Sequence, residues 1–381
     1  MKKTKALAGL AGVAVIAALA ATFNGHATGL ASAAATKTCN ASVGLAAPLT
    51  GPVASIGQEQ LHWAQLSLDT YNKANKTSYK MIQGDSPVVN VAASIAVARQ
   101  FASNKKIAVV VGPAGSQEVQ AFGPSMKGMA YLSMSATRDD LTNGKRPSFF
   151  RVVGSDDAQG LIDATYALDK LKADNIFVIS DGSSYSVGLA ARFVNVAHKA
   201  GATVTLDAIT QQQTDFSALV DKIGSSVDLV FLPWQVASQA QTFAQQMKAK
   251  GKSAIIFGSD GVFSPSDFNQ EGAYVSSFAR DIHGLPGAAA LIKAYETKYG
   301  KFGTFGPPTF VAMQVALSAL DKACQAGAAT RSTVLAQVKK TNIAKTILGR
   351  PIRFDANGDV VGASFYIYRI SGGKYKLVFP T

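Results

Sequence analysis

The chain has little of the equipment that enzymatic chemistry requires. Its 381 residues include four histidines and two cysteines, and no pair of them has metal-ligand spacing. His26 lies in the N-terminal segment, His62 and His198 stand alone in helical stretches, and His283 falls in a loop. Gly251-Lys252-Ser253 looks like the end of a phosphate loop, yet Gln246 stands where that loop needs a glycine. Gly182-Ser183-Ser184-Tyr185-Ser186 fails as a nucleophile elbow because Ser186 occupies the second glycine position. No Gly-x-Gly-x-x-Gly opens a helix after a strand. An enzyme is therefore disfavoured. Charge is also sparse: 16% of residues are charged, and the net +13 is spread without a run longer than Lys105-Lys106 or Lys339-Lys340. That pattern describes a solvated basic surface and argues against a nucleic-acid footprint.

What is present begins with an export signature. Lys2, Lys3 and Lys5 precede an uncharged Ala/Gly/Val/Leu run ending near Phe23, and Ala31-Ser32-Ala33 and Ala33-Ala34-Ala35 are small-x-small cleavage patterns. Residues 1–35 are expected to be a secretory signal peptide. A retained membrane anchor is the alternative, because the run approaches spanning length. No lipid attachment box precedes Cys39. After export the two cysteines, Cys39 and Cys324, face an oxidising compartment, where a disulfide is permitted. Cys39 precedes the first strand and Cys324 lies late in a helix, so a bridge and two buried thiols both stay open.

The length suits about two domains, and the hydrophobic pattern fills them with alternating strands and helices. Strands are expected at Ser42–Leu49, Tyr79–Gln83, Ile107–Val111 and Met129–Met134, with helices at 57–75, 89–103 and 117–127 between them. The alternation restarts after Phe149–Val152 and the Gly154-Ser155-Asp156-Asp157 crossing. Strands near 176–180, 203–209, 229–233 and 254–258 then alternate with helices 187–200, 216–224 and 238–250. Helices return at 287–299, 309–326 and 331–340. The turn signals Asn357-Gly358 and Gly372-Gly373 predict closing hairpins. The fold class is α/β: two Rossmann-like lobes with parallel sheets. Lobe 1 is expected over 41–155 plus 284–360, and lobe 2 over 156–283 plus 361–381. With no low-complexity linker, several short crossings are expected to join them.

The stretch Ile107 to Thr137 is the centre of this organisation. A β-branched strand, Ile107–Val111, ends at Gly112-Pro113, and Ala114-Gly115-Ser116 leads into a helix with Ser116 at its N-cap position. Backbone N–H groups and a hydroxyl there suit a carboxylate. The following strand delivers Ser135, Ala136 and Thr137 at its carboxyl end, where open α/β sheets bind ligands. Ser116 as a plain helix cap and Thr137 as a turn residue are the structural alternatives.

Several motifs together carry a family resemblance: Ala47-Pro48-Leu49-Thr50-Gly51-Pro52 with Gly57, Val111-Gly112-Pro113 before Ser116, Ser133-Met134-Ser135-Ala136-Thr137, Asp181 with Tyr185 and Gly188, and Gly258-Ser259-Asp260-Gly261. In order and spacing the chain resembles the branched-chain amino-acid binding proteins of bacterial ABC importers (leucine/isoleucine/valine-binding family), from about Ser42 to Phe379. The resemblance implies a type I periplasmic binding protein fold with a three-crossing hinge. It also implies a small amino-acid ligand, or a related amide or aromatic carboxylate, captured without a cofactor. The expected setting is a periplasmic monomer that serves an ABC permease in the inner membrane and binds no nucleic acid. In such relatives the ligand carboxylate is held at the position of Ser116. The ammonium is held by the carbonyl near Ser135 and by Thr137 and Asp260, and an aromatic matching Tyr185 covers the ligand. Ile56 stands where some relatives have an aromatic, Asp260 is shorter than the glutamate of close leucine binders, and Pro233-Trp234-Gln235 replaces a Gly/Tyr-rich loop. Trp234, Phe305 and Pro307 are expected in the side-chain pocket, with ordinary core packing as the alternative.

Overall fold

The computed structural model describes residues 39–380, so the expected signal peptide lies outside the described residues. The first sheet takes β1 (Ser42–Ala47), β2 (Lys80–Asp85), β3 (Ile107–Val111), β4 (Tyr131–Ser133) and β5 (Phe149–Arg151). Between them run α1 (Ala54–Asn75), α2 (Val91–Ser103) and α3 (Ser116–Phe122). The order is β2-β1-β3-β4-β5, all parallel. The second sheet is built from β6 (Asn175–Ser180), β7 (Thr203–Ala208), β8 (Leu229–Leu232), β9 (Ile255–Gly258) and β10 (Tyr274–Ser277). Its helices are α4 (Asp156–Asp169), α5 (Ser184–Lys199), α6 (Ser217–Asp221) and α7 (Ala237–Ala249). The chain returns through α8 (Ala289–Tyr299), α9 (Gly306–Gln325), α10 (Arg331–Lys339) and the short antiparallel pair β11 (Asn342–Ile343) and β12 (Ile352–Arg353). It ends in the hairpin β13 (Tyr366–Ser371) and β14 (Lys374–Phe379), which gives a second sheet of order β14-β13-β10-β9-β8-β6-β7.

The parallel cores of both sheets share one topology: the second and first strands, then the third, fourth and fifth. Each sheet therefore reverses direction between its first and third strands, at β1/β3 and at β6/β8, and that switch point opens a crevice at the carboxyl ends. Helices cover both faces, so the central strands are apolar along their whole length; all five residues of β3 are buried. On one face of the first sheet, Val109 and Val111 pack with Trp63, Phe310 and the rest of α9. On the other, Val110 packs with Phe101 and Phe122.

Helix α9 is buried almost all round, with 15 of its 20 residues inside. It starts with Gly306-Pro307-Pro308, prolines being suited to a first turn whose N–H groups have no partner within the helix. A Cβ on Gly306 would lie 1.8 Å from Trp63, so only glycine admits that indole. Trp63 also stacks on Tyr295 at 4.5 Å. Near the other end of α9, Cys324 is bridged to Cys39, with Cα atoms 5.7 Å apart.

Three local expectations are corrected. The helix expected over 117–127 is only seven residues long and passes into a 3-10 turn at Gly123–Ser125, where Pro124 has no N–H to continue it. Gly115, and not Ser116, is its N-cap residue; Ser116 is the first helical residue. The Asn357-Gly358 turn closes a single antiparallel bridge, Phe354 to Val360, while β12 pairs with β11. Gly358 is held there because its carbonyl accepts from the Arg151 amide of β5.

Candidate functional site

Loops from the carboxyl ends of both sheets meet around one cavity of about 30 Å³. The first sheet supplies Pro48 and Val53 after β1, Ala114, Gly115 and Ser116 after β3, and Ser135 after β4. The second supplies Tyr185 after β6, Gln235 after β8, and Asp260 with Gly261 after β9. Ile56, Val88 and Phe305 complete the wall. The volume holds roughly one or two waters.

Side-chain bonds across the gap hold the closed arrangement. Gln117 of α3 donates to Gln235 at 2.8 Å, Ser184 donates to Gln120 at 3.0 Å, and Arg138 donates to the Ser184 carbonyl at 2.6 Å. Ser55 donates to Asp267 at 2.7 Å, and Arg192 pairs with Asp139 at 2.7 Å.

The first-lobe wall is neutral. Ser116 is buried, and its Oγ accepts from the Arg138 amide at 3.3 Å. It is the first residue of the seven-residue helix α3, and the preceding Gly115 lines the cavity beside it. The loop before it is fixed by Glu118, which accepts from Gly115 N at 2.7 Å and from Ser86 at 2.5 Å. Burial pushes the Glu118 carboxyl up to about 8 against those bonds, so it is protonated at neutral pH. Ser135 donates to the Ala114 carbonyl at 2.9 Å and accepts from Gln60 at 3.2 Å, tying the β3 and β4 loops together.

The second-lobe wall is acidic. Asp260 is 3% exposed, and its Oδ1 lies 2.6 Å from the Tyr185 hydroxyl, which is also 2.7 Å from Ser259 Oγ. Burial pushes Asp260 up to about 6, with the bonds from Tyr185 and Gln159 opposing, so it is mostly ionised at neutral pH. A Cβ on Gly261 would lie 2.3 Å from the Trp234 carbonyl, so this loop is pinned against its neighbour only because residue 261 is glycine. Two further acids stand near. Asp156, at the start of α4, is fully buried, and neither carboxylate oxygen has a hydrogen-bond partner among the described residues. Burial raises it well above its ordinary range, the Thr137 hydroxyl lowers it, and the Asp260 and Asp139 charges raise it further. Asp163 accepts from Ser276 at 2.8 Å, and Ser276 accepts from Gln159 at 3.0 Å.

Of the eight residues expected at the site, Ile56, Ser116, Ser135, Tyr185 and Asp260 line the cavity, and Ala136, Thr137 and Trp234 do not. Trp234 is a core residue: its indole N–H donates to the Ile179 carbonyl at 2.7 Å, and its rings pack against Phe216 and Phe243. The adjacent Gln235 reaches the cavity instead. The Ala136 amide is spent on Ser133 Oγ at 2.9 Å, and its methyl is core. Thr137 is fully buried with an unpaired hydroxyl, and its carbonyl accepts from Arg151 at 2.7 Å and from the Asp156 amide at 2.8 Å. Phe305 lines the cavity, whereas Pro307 is inside α9. Asp156 and Gln235 were not singled out by the sequence. An Asp-Asp pair at a helix start reads as capping, and only the tertiary position of Asp156 beside Asp260 distinguishes it. Among the described residues no group of three His, Cys, Asp or Glu side chains could hold a metal ion, and no helix is long and apolar enough to cross a membrane.

Comparison with known proteins gives the family and the fold. The family model described as "Periplasmic binding protein" matches residues 41–374. The Leu/Ile/Val-binding protein BraC3 of Rhizobium johnstonii is 29% identical over 347 residues, which cover 87% of this chain and 92% of that protein. The branched-chain amino acid transporter substrate binding protein LivJ from Streptococcus pneumoniae, solved in complex with isoleucine, superposes with a TM-score of 0.80 at 24% identity. That match covers 89% of this chain and 99% of LivJ. A solute binding protein of an ABC transporter from R. palustris, in complex with benzoate, gives a TM-score of 0.77 at 17% identity, covering 88% and 95% of the two chains. The two-sheet architecture is that of the type I periplasmic binding proteins. The chain belongs to the periplasmic binding protein family, whose members are non-enzymatic and extracytoplasmic.

Proposed function

We propose that the protein is the solute-binding component of an ABC importer and captures a small aliphatic amino acid, of the branched-chain class, by closing its two lobes. The observation that carries this reading is the polarity of the cavity. Gly115, Ser116 and Ser135 form one wall, and the Tyr185–Asp260 pair forms the other, with no lysine or arginine in the lining. A carboxylate suits the first wall and an ammonium suits the second. A zwitterion brings both, and unpaired charges of either sign are costly to bury. Thr137 and Asp156 are buried outside the lining, and Asp156 interacts with Asp260. Pro48, Val53, Ile56, Val88 and Phe305 offer an apolar surface for a short aliphatic side chain.

The benzoate-bound relative raises a second reading, an aromatic carboxylate. A ligand with no cation would leave Asp260 uncompensated, so the amino acid is favoured. Titration calorimetry of the exported chain with leucine, isoleucine, valine, their amides and benzoate tests the assignment. Binding of an aliphatic amino acid, with at least about a hundredfold preference over its N-acetyl derivative, is expected. Benzoate binding without amino-acid binding overturns it. Closure around the ligand joins pieces held by both lobes, so the ligand stabilises the closed state by its differential affinity. Export and delivery to a membrane permease complete the proposed role.

A further inference from the structure

Away from the interlobe cavity, the first lobe has a second pocket of about 560 Å³, lined by Lys127, Lys145 and Arg146 together with Gly123 and Tyr131. No carboxylate lines it. Tyr131 is 1% exposed, and its hydroxyl has no hydrogen-bond partner among the described residues, a cost that a buried polar group bears only where something answers it. A methyl placed on Gly123 would lie 3.6 Å from both the Tyr131 hydroxyl and Arg146 Nε, so both polar atoms border the space over Gly123. Arg146 is held in place by donating through Nη1 to the Asp140 carbonyl at 3.0 Å. Lys127 and Lys145 are exposed at the rim.

We propose that this pocket binds a phosphate group, with Tyr131 and Arg146 donating to its oxygens over Gly123 and Lys127 and Lys145 neutralising its charge. Three cations and a neutral hydroxyl suit a dianion better than a carboxylate or chloride, because charge-assisted bonds to several oxygens are gained together. Burial keeps the Tyr131 hydroxyl protonated well beyond its ordinary range, so it stays a donor. The group could be carried by free phosphate and its monoesters or by an anionic lipid headgroup, and the same residues serve either. The site is separate from the amino-acid cavity, so it stands whatever ligand that cavity takes.

The test is titration of the full chain with inorganic phosphate at constant ionic strength, with chloride and acetate as controls. Flotation with phosphatidic acid vesicles against phosphatidylcholine vesicles runs in parallel. Tyr131→Phe removes only the unpaired hydroxyl. Gly123→Ala fills the space over residue 123, whose φ −45° and ψ −49° alanine adopts freely. Both are expected to keep the unliganded melting temperature and to weaken binding about tenfold or more, the worth of one charge-assisted bond. Loss of phosphate binding in the variants assigns the site to soluble phosphate, and loss of vesicle binding alone assigns it to a headgroup. Binding of either probe that is equal in wild type and both variants would mean a diffuse basic surface and overturn the proposal. So would the absence of binding to both probes.

Discussion

The two lobes carry the same parallel strand order and opposite chemistry. At the switch point of the first sheet the loops present serines and amides, and the buried acid there, Glu118, is spent on Gly115 and Ser86 and pushed up to about 8. In the second sheet Asp260, in the loop after β9, faces the cavity and is pushed only to about 6. Near neutral pH one wall is thus uncharged and donating, and the other is anionic and accepting. Burial raises both acids, with the Asp85 charge adding to it at Glu118; what separates them is how far each is raised and which way each carboxyl points. A shared topology fixes where a ligand can sit, and the loop residues fix which end of it goes where.

The largest test of this contrast removes the anionic wall. Asp260→Asn is expected to weaken binding of an aliphatic amino acid by at least about 2 kcal/mol, roughly thirtyfold, because a buried ammonium loses its charged partner. Ser116→Ala is expected to cost about 1 kcal/mol, since Gly115 and Ser135 remain in that wall. Calorimetry giving equal losses for the two would erase the distinction between the walls. The contrast is also readable in pH. Ammonium binding favours ionised Asp260, so affinity is full above about pH 6 and falls by up to about tenfold per unit below it. Asp260→Asn should flatten that slope; a slope that persists would move the proton uptake to Asp156.

Glu118 tests the other wall through stability. Its pKa is raised in the folded state, so the folded chain holds more protons than the unfolded chain between about 4.5 and 8. Stability is therefore highest on the acid side of that window and declines as pH rises through it. Glu118→Gln should keep a melting temperature less sensitive to pH between 5 and 9, and a scanning-calorimetry series on both proteins would show it. If the two proteins lose stability in parallel, the decline belongs to another buried acid such as Glu59, which is pushed up to about 7.

The sequence made the architecture legible because its signals are local. Apolar strands such as Ile107–Val111 and periodic helices such as α1 declare themselves without tertiary help. Loops at strand carboxyl ends are equally readable, and Ser116, Tyr185 and Asp260 do line the cavity. Trp234 packs in the core instead, because a tryptophan beside a strand end serves core and pocket equally well. Its indole bond to Ile179 spans 55 positions, and no local pattern encodes it. Asp156 was missed for the converse reason: its helix-start context explains it fully until the chain brings Asp260 alongside.

The smallest expected effect probes how the walls are held together. Gln117 begins the second residue of α3, one position after Ser116, and its amide donates to Gln235 across the gap at 2.8 Å and to the Val88 carbonyl at 3.0 Å. The first bond exists only when the lobes are closed, whereas the second lies within the first lobe and survives opening. Removing the side chain should therefore leave ligand encounter unchanged and destabilise only the closed complex. Gln117→Ala is expected to raise the dissociation rate about threefold to tenfold with the association rate unaltered, as stopped-flow fluorescence would read. A change confined to the association rate would instead mean that Gln117 shapes the open site, and that closure rests on the other bonds across the gap, those of Arg138, Ser184, Ser55 and Arg192.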